Sequence, residues 1–124
     1  MHTTLWIVQG LLALVFLASG AFKTFQYQRA IAVPAMGVIK VLPRGLVTFI
    51  GVSEMLGGLG LLLPPLTGRL LWLTPLAATG LAIIMVLAAR AHAREREWPP
   101  IIGNTLFFVL AVFVAYGRWA LVPF

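Results

Sequence analysis

Four stretches of the chain are almost continuously apolar, at about Thr4–Phe22, Leu46–Leu63, Leu70–Ala89 and Ile101–Leu121. Each is close to the ~20 residues a helix needs to cross a hydrocarbon core of ~30 Å. No segment shows the apolar–polar alternation of a barrel strand, and a backbone in lipid must satisfy its own amides, so the pattern predicts membrane-spanning helices. Breakers punctuate them: Lys23 and Gln26-Tyr27-Gln28-Arg29 end the first, Pro64-Pro65 the second, the charged run Arg90–Glu97 with Pro99-Pro100 the third, and Pro123 the last. The predicted fold is all-α, one polytopic domain over residues 1–124 built as a four-transmembrane-helix bundle. The leading stretch, Leu5 to Ala18, reads as a permanent helix and not as a secretory signal. Only His2 and the amino terminus precede it, and no A-x-A-like site follows.

The connections differ in character. The longest, Lys23–Gly45, holds Pro34, Gly37 and Pro43 within or beside an apolar run from Ala30 to Leu42, which predicts a short re-entrant or interfacial segment. Basic residues are distributed unevenly. Lys23, Arg29, Lys40, Arg44, Arg90, Arg94 and Arg96 fall on the first and third connections, against Arg69 and Arg118 on the other side. The positive-inside rule then places both termini outside and the two basic connections in the cytoplasm.

Composition strengthens the membrane reading. Apolar residues make up 61% of the 124 residues and charged residues 10%, against ~45–50% and ~25% in soluble proteins. A soluble chain of this size would still expose about a third of its unfolded surface, and the few polar side chains cannot clothe that much area, so lipid must cover it. The absence of cysteine removes disulfide exchange, thiolate metal ligation and cysteine nucleophiles. The net charge of +6 reads as topology signal and contact with lipid headgroups, and no nucleic-acid partner is expected.

Glu54 is the most informative residue, because it lies in the middle of the second apolar stretch, where an ionised carboxylate facing lipid is costly. Gly51, Glu54 and Gly58 share one helix face, on which the glycines either admit a neighbouring helix or leave room for a ligand. Glu54 is therefore a candidate site residue, with interhelical packing as the other reading. Its expected partner is Lys23, four residues after Ser19 at the inner end of the first helix, unless that lysine extends to the headgroups.

Two further rows have the same spacing. Ala78-Ala82-Met85-Ala89-His92 is a seam of small residues ending in a histidine, and Asn104-Phe108-Ala111-Ala115-Arg118 is its counterpart in the fourth helix. His92 is either an interfacial group or a ligand, and Asn104 either joins Lys23 and His92 or caps its helix. Arg118, between Tyr116 and Trp119, reads as an outer-interface anchor, with Trp6 and Trp72 at matching depth and Trp98 at the inner interface. Gly57-Gly58-Leu59-Gly60 lacks the lysine and the strand-to-helix context of a phosphate loop, and the scattered histidines and acids have no metal-ligand spacing. With no aspartate in the chain, a Ser-His-Asp arrangement is excluded.

With these residues placed, the chain resembles the DoxX-like family of small bacterial membrane proteins. The resemblance rests on LASGAFKTF, IGVSEMLGGLGLLLPPL, PLAATGLAIIMVLAARAHARERE and NTLFFVLAVFVAYGRW, which follow in family order and cover most of the chain. It implies a four-helix bundle in the bacterial cytoplasmic membrane and a link to quinol oxidase or thiosulfate:quinone oxidoreductase subunits. Ser19, Lys23, Glu54, Met85, His92 and Asn104 match the family's polar pattern. Three functions follow as expectations. The first is an accessory or small subunit of a quinone-linked oxidoreductase, binding a lipophilic ligand at Ser19, Gly51, Gly58, Met85 and Asn104, with Glu54, Lys23 and His92 as proton-handling residues. The second is a stand-alone isomerase or cyclase in which a desolvated carboxylic acid donates a proton to a lipophilic substrate. The third is a structural or assembly protein that forms homo-oligomers. Haem, flavin, iron–sulfur and metal motifs are absent from the sequence, so electrons would come from an oxidoreductase partner.

Overall fold

The computed structural model describes residues 1–32, 40 and 42–121. The elements are α1 (His2–Phe25), a short α2 (Tyr27–Ala30), α3 (Arg44–Thr67), α4 (Leu73–Arg94) and α5 (Trp98–Tyr116), which continues into a turn of π geometry, Gly117–Leu121. Four helices among the described residues are long and apolar enough to cross a membrane: His2–Phe25, Arg44–Thr67, Leu73–Arg94 and Trp98–Leu121. The interfacial segment expected within Ala30–Leu42 lies largely outside the described residues, as does Pro123.

The spanning helices run alternately up and down, with α1 against α3, α3 against α4, α4 against α5, and α5 closing back on α1. Leu12, Phe16, Leu61, Leu81, Met85 and Val114 form the centre, joined by Ala78, Ala82 and Ala111. No more than 33% of any span's most apolar window is buried within the chain. Leu14, Phe49, Leu56, Ile83, Leu87 and Leu106 point outward, which is stable only where lipid replaces water. Each helix buries a stripe at the expected spacing, including Gly51, Glu54 and Gly58 on α3 and Ala78, Ala82, Met85 and His92 on α4.

Glycine sets how closely α1 and α3 approach. A Cβ on Gly20 would overlap the carbonyl oxygen of Gly51 and come within 2.8 Å of Met55 Cγ, and one on Gly58 would lie 3.1 Å from the carbonyl of Ala13. The two backbones therefore touch at two levels, as small residues permit in a membrane. On the other side of α3, Gly57 receives Leu81 and Gly60 receives Ala77 of α4.

The helix limits differ from those the pattern predicts. α3 does not stop at Pro64-Pro65 but runs through both to Thr67, ending at Gly68 with φ 70°, the left-handed geometry that glycine adopts readily. Proline at these positions leaves the carbonyls of Gly60 and Leu61 without an intrahelical partner. Both are taken up from neighbouring helices, by Thr74 Oγ1 at 3.1 Å and Gln9 Nε2 at 2.9 Å. α4 begins at Leu73, since Leu70 is itself left-handed at φ 52°. α5 begins at Trp98 with proline in its first turn, where a missing N–H has no partner to lose.

Candidate functional site

Lys23 and Glu54 meet. In antiparallel helices each side chain leans toward its own N-terminus, so Lys23 leans from the C-terminal end of α1 toward the middle and Glu54 of α3 leans back toward it. The lysine stem passes over Gly51, whose added Cβ would lie 3.4 Å from Lys23 Cβ. Lys23 Nζ donates to Glu54 Oε1 at 2.7 Å, with the glutamate side chain 1% exposed and the lysine 15%. The carboxylate is thus neutralised in place, while the ammonium, with three donors, keeps a partly open side.

The other expected site residues are distributed around this pair or away from it. Gly51 and Gly58 are closed over by α1. Ser19, one turn before Lys23, is half-buried, and Met85 is buried in the apolar centre. His92 is buried, but its Nδ1 lies 3.2 Å from Glu97 Oε1 and its carbonyl accepts the Glu97 N–H at 2.8 Å. Glu97 is thus its partner, brought back by the reversal at Arg96, whose φ is 55°. Asn104 does not cap α5, which starts six residues earlier, at Trp98. Its Nδ2 and the neighbouring helix's Thr24 Oγ1 are buried with no hydrogen-bond partner among the described residues.

A second polar cluster occupies the end of the bundle opposite Lys23. Arg118 does not extend to the headgroups as an anchor; it is 2% exposed. Its Nε donates to Gln9 Oε1 at 2.6 Å, its Nη1 lies 2.8 Å from His2 Nδ1, and its guanidinium sits 5.9 Å from the Trp6 ring centroid. Gln9 therefore links Arg118 of the terminal turn to the Leu61 carbonyl of α3. Gly117 lets this turn press on Leu5, 2.6 Å from where a Cβ would stand. The signal for Gln9 lay in the sequence as an amide within an apolar span. Tyr116 and Trp119 remain exposed at the same end.

Two concavities open elsewhere. One, of about 370 Å³, is bounded by Phe25, Gln26, Tyr27, Gln28, Arg29 and Arg44; the other, of about 300 Å³, by Leu76, Thr79, Ala115, Tyr116 and Trp119. Neither includes Glu54 or Lys23. Among the described residues no group of three or more His, Cys, Asp or Glu is placed to hold a metal ion.

Comparison with known proteins returns no match among curated proteins and none among solved structures. A family sequence model described as the DoxX-like family matches residues 7–114, a span that takes in α3 and α4 and most of α1 and α5. With four helices fit to span a membrane and that match over most of its length, the chain belongs to the DoxX-like family.

Proposed function

We propose that this protein is a small accessory subunit of a quinone-linked oxidoreductase in the bacterial cytoplasmic membrane, with both termini outside, and that Lys23 and Glu54 form the polar end of a site for a lipophilic ligand. The observation that carries this reading is the 2.7 Å ion pair inside an apolar span, with Lys23 still partly exposed. Ionisable groups at such depth are expensive and usually mark ligand or proton pathways. The Lys23 ammonium, held by Glu54, has donors left for a ring carbonyl of the ligand. Ser19 lies on the same helix one turn away, and Met85, His92 and Asn104 lie on the neighbouring helices α4 and α5. Electrons come from a partner, consistent with the lack of cysteine.

Decylubiquinone, titrated into the detergent-purified protein and followed by tryptophan quenching, tests the reading. Saturable binding is expected, weakened at least tenfold by Glu54→Gln and by Lys23→Met. Equal binding by both folded variants would reject the site.

One observation favours a second reading, an assembly protein without a ligand. Gly51 and Gly58, on either side of Glu54, are filled by side-chain and backbone atoms of α1, so the pair also serves to lock α1 to α3. Under that reading the same variants lower bundle stability, and decylubiquinone binds none of the proteins.

A further inference from the structure

At the basic end of the bundle, just beyond Lys23, α1 breaks at Gln26 and α2 turns off beside the start of α3. The concavity of about 370 Å³ in this elbow is lined by Phe25, Gln26, Tyr27, Gln28, Arg29 and Arg44. We propose that it binds the headgroup of an anionic phospholipid, with Arg29 and Arg44 gripping the phosphodiester.

Three features carry the assignment. First, the arginines come from different elements and both are held. Arg29 Nη1 donates to Gln26 Oε1 at 3.2 Å, and the Arg44 guanidinium stacks 4.6 Å from the Tyr27 ring centroid. Stacking uses the face of the guanidinium and leaves its in-plane N–H donors for a phosphate.

Second, the lining is cationic and amide-bearing with no acid. The three acidic residues of the chain are Glu54, paired with Lys23, and Glu95 and Glu97 in the third connection. A zwitterionic headgroup would bring a cation that nothing in the lining balances, so the site selects a headgroup with net negative charge. Third, the site adjoins lipid. Phe25 is 75% exposed, and Leu46, two residues after Arg44, is also exposed. They offer apolar surface to acyl chains where the arginines hold the phosphate, the arrangement by which basic pockets at membrane level recognise anionic lipids.

Native mass spectrometry of the full chain in detergent, with phosphatidylglycerol or phosphatidylcholine added at equal concentration, tests this. Phosphatidylglycerol adducts are expected to dominate, and to weaken about fivefold for Arg29→Gln or Arg44→Gln and about thirtyfold for both, at ~1 kcal/mol per basic contact. Arg90→Gln/Arg94→Gln, which removes the same charge from the end of α4, should leave them unchanged. Both arginines are exposed, and a detergent melt of the double variant matching the parent separates loss of the site from loss of the fold. Equal retention of the two lipids, or an Arg29→Gln/Arg44→Gln protein that keeps its phosphatidylglycerol, would overturn the proposal. So would displacement of the lipid by millimolar inorganic phosphate with the phosphate itself retained, which would make the site one for free phosphate.

Discussion

Gln9 Nε2 donates to the carbonyl oxygen of Leu61 at 2.9 Å across the contact between α1 and α3. That carbonyl is the one Pro65 deprives of its own helix's N–H, and in a membrane no water can take its place. Thr74 does the same for Gly60, the carbonyl freed by Pro64. Two prolines that should end a helix are thereby accommodated within it.

Replacing Gln9 by leucine should lower stability by about 2–3 kcal/mol, because it strands the Leu61 carbonyl and removes the acceptor of Arg118 Nε. In a Pro65→Ala background the alanine N–H satisfies Leu61, so the same replacement should be less damaging. A double-mutant cycle measured by detergent melting checks the coupling. Strict additivity would mean that the hydrogen bond does not compensate the proline.

Thr74→Val with Pro64→Ala forms the parallel cycle. Loss of the Thr74 hydroxyl bond to Gly60 is expected to destabilise the parent by about 1 kcal/mol and the Pro64→Ala protein by less than half that. Unequal coupling in the two cycles would show which carbonyl is the better satisfied.

Breaking the Lys23–Glu54 pair on one side leaves a charge in an apolar span. Glu54→Gln alone should destabilise by about 3 kcal/mol, and Lys23→Met/Glu54→Gln should recover most of the loss. Thermal melts of the three proteins decide it. A double variant no more stable than Glu54→Gln would mean that the ammonium is already satisfied elsewhere.

The glycine contacts give a graded series. Gly20→Ala drives a methyl into the Gly51 carbonyl and should lower stability by about 1–3 kcal/mol, whereas Gly10, with nothing within 4 Å of an added Cβ, should accept alanine without loss. Gly58→Leu, against Ala13 and Leu17, should be at least as harmful as Gly20→Ala. Comparable melting of Gly10→Ala and Gly20→Ala would contradict the close approach of α1 and α3.

Orientation is tested by labelling. With seven basic residues on one side against two on the other, Thr3→Cys is expected to react with an impermeant reagent from outside and Arg94→Cys only after the cytoplasm is opened. The reverse order would invert the topology.

The spans and the inward faces were legible in the sequence because lipid imposes a length and packing imposes a period. The rows through Glu54, Met85 and Ala111 followed from spacing alone, and Lys23 followed as the cation at the right end of the adjacent helix. The course of α3 past Pro64 was not legible, since the donors that allow it, Gln9 and Thr74, are distant in sequence and carry no local mark of their targets. Arg118 lay on the inward row that continues α5, but its aromatic neighbours pointed equally to the interface, and it turns in because Gln9, His2 and Trp6 of α1 receive it. Of the two readings of Asn104, the cap fails because Pro99 and Pro100, read as a break, lie in the first turn of α5.

The proline pair also imposes an order in time. As the chain emerges, Gln9 is already in the membrane when Pro64 and Pro65 arrive, so one open carbonyl can be closed as soon as α3 meets α1. The other waits for Thr74, and the Gln9 amide is fixed at its far end only when Arg118 follows. Residues more than fifty positions apart, Gln9, Leu61 and Arg118, thus close one continuous chain of hydrogen bonds across three helices.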